Sequence, residues 1–92
     1  MPTQQITIFT AGPSCIQCRL TEKLLSSLGF AYELRPADAL SDELRAQAMA
    51  LGAVIQAPLV LVRDASGELA QAWGGYRPDL IDVLAGERML AA

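Results

Sequence analysis

Residues 58–62 read Pro-Leu-Val-Leu-Val, an unbroken apolar run between Ala57 and Arg63. A strand with one wet face alternates apolar and polar residues. An unbroken run instead predicts a strand, Pro58–Val62, buried on both faces. Such a strand has to be covered from two sides, and 92 residues can supply that cover from one compact core. A single domain spanning residues 1–92 is therefore expected.

The flanking segments supply the cover. Gln5–Thr10 (QITIFT) is β-branched and aromatic with Ile6 and Ile8 on one side, which predicts a strand. Ala11-Gly12-Pro13-Ser14 reads as a loop. From Ile16 to Leu28 the residues Leu20, Leu24 and Leu28 recur at helical spacing, with Leu25 widening the stripe and Gly29 placed to end the helix. Ala31–Arg35 alternates again as a second strand, stopped by Pro36. Ser41-Asp42-Glu43 caps a second helix that runs to Leu51 and stops at Gly52. Asp64-Ala65-Ser66-Gly67 is turn chemistry, so Pro58–Val62 and Glu68–Trp73 form a hairpin. Gly74-Gly75 breaks the chain, and Pro78 opens a last helix through about Leu84, extendable to Met89. The order is β-α-β-α-β-β-α. Its first two strands are parallel, joined by a right-handed crossover.

Composition excludes several classes of function. A net charge of −3, with seven scattered Lys and Arg, leaves no footprint for nucleic acid or an anionic membrane. No apolar run reaches the length of a membrane span. The segment MPTQQITIFT has neither a basic n-region nor a long apolar h-region, so nothing in it directs export and a cytoplasmic residence is expected.

The chain's two cysteines, Cys15 and Cys18, form C-x-x-C between the first strand and the first helix. That is the arrangement of a redox dithiol. Unpaired N–H groups and the positive dipole end of a helix favour a thiolate, bringing a cysteine down from about 8.5 toward neutrality. Cys15, at the helix start, is the expected exposed nucleophile. Cys18, one turn further in, is the expected buried resolving thiol. Cys15 would attack a substrate disulfide and Cys18 would then displace the reduced substrate from the mixed disulfide. Structural zinc within the chain would need about four ligands, against two cysteines and no histidine here. A metal or iron–sulfur cluster shared between two subunits remains a separate, non-enzymatic alternative. A permanent disulfide across so short a loop would add little stability.

Two further segments stand out. Pro58 opens a buried strand although proline withholds a ladder donor. Its peptide bond could be trans, at an ordinary strand start, or cis, facing the dithiol and leaving the Ala57 backbone free for substrate. Trp73-Gly74-Gly75-Tyr76-Arg77-Pro78 joins a tryptophan suited to the core, a flexible turn, and two residue types favoured at binding hot spots.

Taken in order, Cys15-Ile16-Gln17-Cys18, Ala50-Leu51-Gly52, Gln56-Ala57-Pro58 and Trp73-Gly74-Gly75-Tyr76-Arg77-Pro78-Asp79 resemble the NrdH-redoxins, glutaredoxin-like members of the thioredoxin superfamily. The resemblance runs from Ile6 to about Leu84 and rests on C-x-Q-C together with W-[SG]-G-[FY]-R-P. It implies an α/β, thioredoxin-like (glutaredoxin-type) fold with a four-stranded mixed sheet ordered 2-1-3-4, three flanking helices, and Pro58 cis. It also implies a dithiol–disulfide oxidoreductase reduced by NADPH-dependent thioredoxin reductase and donating electrons to the large subunit of class Ib ribonucleotide reductase. Cys15 and Cys18 would be catalytic. Gln17, Ala57, Pro58, Trp73, Gly74, Gly75, Tyr76 and Arg77 would form the substrate- and partner-binding surface. No bound cofactor or metal is expected, since NADPH and FAD belong to the partner reductase, and a monomer is expected.

The chain departs from the family pattern in three places. The approach Ala11-Gly12-Pro13-Ser14 lacks the family's usual Lys or Arg before the first cysteine and is one residue longer. Gly74 replaces the usual Ser and Tyr76 the usual Phe, and neither exchange conflicts with the pattern. The turn at Asp64–Gly67 is long for the family. The alternative within the same chemistry is a glutathione-dependent glutaredoxin. Those proteins typically carry C-P-Y-C and T-V-P, with an acidic element after Gly-Gly that grips the γ-glutamyl end of glutathione. In this chain Tyr76 and Arg77 occupy the place of that grip and only Asp79 could imitate it.

Overall fold

The computed structural model describes residues 4–91, the side chains of 88–91 aside. The bounds 1–92 drawn from the sequence include residues 1–3 and 92, which lie outside the described residues. The elements follow as β1 Gln5–Thr10, α1 Ile16–Ser27, β2 Glu33–Pro36, a 3₁₀ turn Ala37–Ala39, α2 Asp42–Ala50, β3 Leu59–Arg63, β4 Leu69–Gly74 and α3 Pro78–Ala91. The four strands form a sheet ordered β2-β1-β3-β4. β1 and β2 are parallel, with Ile8 opposite Leu34. β3 runs antiparallel to both neighbours, Val60 lying opposite Ile8 of β1 and Trp73 of β4.

The unbroken apolar run is buried on both faces, as its composition requires: Leu59, Val60, Leu61 and Val62 are each at most 2% exposed. Val60 and Val62 join Ile6, Ile8 and Trp73 under α1 and α3, where Leu25, Phe30, Ile81 and Leu84 close the larger core. Leu59 and Leu61 join Phe9 on the opposite face against Ala48 of α2, with Leu40 and Leu44 beside them.

Three local readings shift. The inward stripe of α1 is Cys18, Thr21 and Leu25, whereas Leu20 is 41% exposed. Leu24, Leu25 and Leu28 of the leucine stripe do pack on the core, but the inward face also carries a cysteine and a threonine and leaves Leu20 outside it. Thr21 is buried without penalty because its hydroxyl donates to the Gln17 carbonyl at 2.8 Å. β2 begins two residues later than the alternation predicts and includes Pro36 instead of ending before it. The strand lies at the sheet edge and pairs with β1 alone, where a missing donor is tolerated. The 3₁₀ turn at Ala37–Ala39 has no counterpart in the sequence reading.

Helix ends follow their capping residues. Gly29 and Gly52, just beyond α1 and α2, have φ of 80° and 92°, and the Phe30 N–H donates back to the Leu25 carbonyl at 2.9 Å. At the start of α2 the Leu44 N–H donates to Ser41 Oγ at 3.1 Å. Ser41→Ala removes that bond from an exposed site, so urea unfolding should show a loss of about 1 kcal/mol, with Ser41→Asp close to neutral.

Candidate active site

The loop leaving β1 delivers Cys15 to the start of α1. Gly12, at φ 110°, turns the chain; its N–H donates to Thr10 Oγ1 at 3.2 Å and its carbonyl accepts from the Cys15 N–H at 3.1 Å. Cys15 then occupies the N-cap of α1 in extended backbone conformation, and its Sγ accepts the Cys18 N–H at 3.3 Å. Sulfur thus stands where a serine or aspartate oxygen would cap the helix, and the helix supplies a donor to it. Cys15 and Cys18 are joined by a disulfide. Cys15 is half-buried while Cys18 is fully buried. An attacking group arriving from solvent therefore meets the Cys15 sulfur first.

Two other segments are linked to the turn that carries the disulfide. The Ala57–Pro58 peptide is cis; Ala57 is half-buried and Pro58 buried. The Pro58 carbonyl accepts the Gly75 N–H at 2.8 Å. Gly75, at φ 84°, turns the chain out of β4, and the next N–H, that of Tyr76, donates to Gln17 Oε1 at 3.1 Å. The positive φ favours glycine at 75, and a Cβ there would also push aside the ends of the Gln56 and Gln17 side chains. These bonds tie Gln17, which lies between the two cysteines, to Tyr76, and Gly75 in turn to Pro58. Trp73 departs from the binding role assigned to it. It is 3% exposed and packs in the core under α1 and α3, so Tyr76 and Arg77 are the large side chains of that segment that reach the surface.

Arg77 does not point free into solvent. Its Nε and Nη2 donate to Asp79 Oδ1 and Oδ2 at 3.1 and 2.9 Å, a two-pronged pair inside the first turn of α3. The hydrogen bond from Arg77 holds the Asp79 carboxyl below the usual carboxylate range, and the same bond holds Arg77 above its ordinary value. Sequence reasoning passed over three residues that shape this surface. Ile16, between the cysteines, is 72% exposed, and Val54 is 66% exposed beside Gly74. The signal for each was an apolar residue outside any predicted inward stripe. Gln56, the first residue of Gln56-Ala57-Pro58, packs its amide over Gly75.

Sequence comparison decides the family. The glutaredoxin-like protein NrdH of Salmonella typhimurium is 37% identical over 82 residues, an alignment covering 86% of this chain and 86% of that protein. The chain belongs to the NrdH-redoxin family. NrdH of Escherichia coli is 32% identical over 80 residues, covering 87% and 88% of the two chains. The solved NrdH-redoxin from Escherichia coli, described there as having a thioredoxin-like activity profile, superposes with a TM-score of 0.60 at 30% identity over 87% of this chain and 93% of that one. No family model matches the sequence. As an NrdH-redoxin, the chain is a thiol–disulfide oxidoreductase whose C-x-x-C disulfide is Cys15–Cys18. Its fold is the thioredoxin-like β-α-β-α-β-β-α arrangement with sheet order 2-1-3-4. Among the described residues no helix is long and apolar enough to cross a membrane.

Proposed function

We propose that this redoxin takes electrons from NADPH through thioredoxin reductase and passes them to the disulfide of class Ib ribonucleotide reductase, working as a monomer in the cytoplasm with no cofactor of its own. Cys15 is the nucleophile: its thiolate attacks one sulfur of the client disulfide and expels the other as a thiolate. Cys18 then attacks Cys15 Sγ and expels the client's second sulfur as a thiolate, so two electrons pass to the client and the disulfide broken there is formed here between Cys15 and Cys18. The backbone at Ala57 offers its polar groups to an extended client segment beside the dithiol. Tyr76 and Arg77 form the adjoining docking surface.

One observation carries this reading over glutathione-dependent reduction. Asp79 is the residue that could hold the ammonium of a γ-glutamyl group, and both of its carboxylate oxygens are already engaged by Arg77. A positively charged guanidinium at that place also repels the ammonium. The test is a pair of coupled assays following NADPH oxidation with a small disulfide as acceptor. Turnover is expected with thioredoxin reductase, and at least about tenfold less with glutathione and glutathione reductase, as befits a site whose polar group is already taken. The reverse preference would overturn the electron source. Reduction of class Ib ribonucleotide reductase, followed as deoxyribonucleotide formation, tests the client separately.

A further inference from the structure

Gln17 lies between the cysteines, and its side chain reaches across to a distant part of the chain. Its Oε1 accepts the N–H of Tyr76, 59 positions away in the chain. Its main chain is anchored at the other end, where the Gln17 carbonyl accepts the buried Thr21 hydroxyl at 2.8 Å. The preceding N–H of the same loop, from Gly75, goes to the Pro58 carbonyl at 2.8 Å. Two consecutive amides of the β4–α3 loop are thus pinned, one by the residue between the cysteines and one by the cis proline. Immediately beyond the pins stand Tyr76 and Arg77. Gln17 is itself exposed, and no packing requirement explains an amide there.

We infer that Gln17 is a positioning residue: its side-chain oxygen holds the Tyr76–Arg77 loop in register with Cys15 Sγ, so that a protein docked on the loop has its disulfide aligned with the nucleophile. This rests on the reading of that loop as the protein-docking surface. Gln17 takes no part in electron or proton transfer. Its contribution is geometric, and attack on a disulfide is sensitive to misplacement of the reacting atoms by about 1 Å. A small-molecule disulfide touches Cys15 without touching the loop, and gains less from Gln17.

Gln17→Met keeps length and helix propensity but removes the oxygen, whereas Gln17→Glu restores an acceptor at the same reach. Hydrogen exchange of the Tyr76 amide should quicken about tenfold in Gln17→Met, the equivalent of one hydrogen bond, and recover in Gln17→Glu. With the reductase that serves the wild type, KM for that protein should rise about tenfold in Gln17→Met with kcat within about twofold. Reduction of 2-hydroxyethyl disulfide by dithiothreitol-charged protein should fall by a clearly smaller factor than the reaction with the reductase, and the ratio of the two is the readout. Unaltered Tyr76 exchange, unaltered KM, or an equal loss on the small disulfide would each overturn the proposal. Service of the wild type by glutathione alone would overturn it as well. A wrong electron source shows in the wild type, however, whereas a wrong role for Gln17 shows in the ratio of variant to wild type.

Discussion

Cys15→Ser should abolish disulfide reduction, by about a thousandfold or more, while leaving the fold intact. The two halves of this expectation come from the same position. Cys15 is the N-cap of α1, with its Sγ accepting the Cys18 N–H, and serine is among the best N-cap residues. The helix start therefore keeps its bond, and the loss measured is one of nucleophilicity. Cys18→Ser should behave differently. With Cys15 half-buried and Cys18 fully buried, the first attack still proceeds, but no thiol is left to resolve the product. A mixed disulfide on Cys15 should accumulate, visible by mass spectrometry under non-reducing conditions and released by dithiothreitol. Retained activity without Cys15, or a variant lacking Cys18 that turns over freely, would reject these roles.

The second large effect concerns stability. Gly74→Ser, which would restore the W-S-G pattern of the resemblance, should destabilise this chain by about 1–3 kcal/mol, as overpacking does. A Cβ on Gly74 would run into the Val54 carbonyl oxygen and lie 3.1 Å from Gln56 Cγ. Backbone cannot rotate away as the end of a long side chain can, so the whole Val54–Gln56 segment would have to move. That segment leads directly into Ala57 and Pro58, so activity should fall along with stability. Thermal unfolding checks the first point, at roughly 4–8 °C in Tm per kcal/mol for a chain this size. An unchanged Tm would show that the segment yields easily. The glycine read in the sequence as a neutral exchange is thus a packing requirement in this chain.

Legibility differed by kind of signal. β1 was found with its bounds because Ile6 and Ile8 alternate and the segment ends in loop residues. α2 was found because Ser41, its acidic first turn and Gly52 mark both ends locally. Sheet order and the cis bond at Pro58 followed from family resemblance, since neither strand adjacency nor peptide isomer is encoded in residue spacing. The face of α1 was read in part: Leu24, Leu25 and Leu28 do pack on the core, but Cys18 and Thr21 were missed as inward residues because a thiol and a back-bonded hydroxyl are not counted as apolar. At the site, the cysteines were plain from C-x-x-C. The three-way closure of Gln17, Pro58 and Gly75–Tyr76 was not, because each bond joins residues far apart in the chain. The Arg77–Asp79 pair was two positions apart and readable in principle, but its consequence depends on the first turn of α3 presenting both side chains together.

The closure at Gly75 bears on how such proteins can be re-engineered. Three stretches from different parts of the chain exchange bonds there, with space left by one missing Cβ. A dithiol tetrapeptide transplanted into another redoxin would bring its sulfurs but leave behind the amide that its glutamine meets. A transplanted Trp-Gly-Gly-Tyr-Arg-Pro loop would likewise arrive without its two acceptors. The closure is therefore transferable only as a set. Recombination between family members should succeed when crossover points keep residues 17, 58 and 75–76 from one parent, and fail when they divide them.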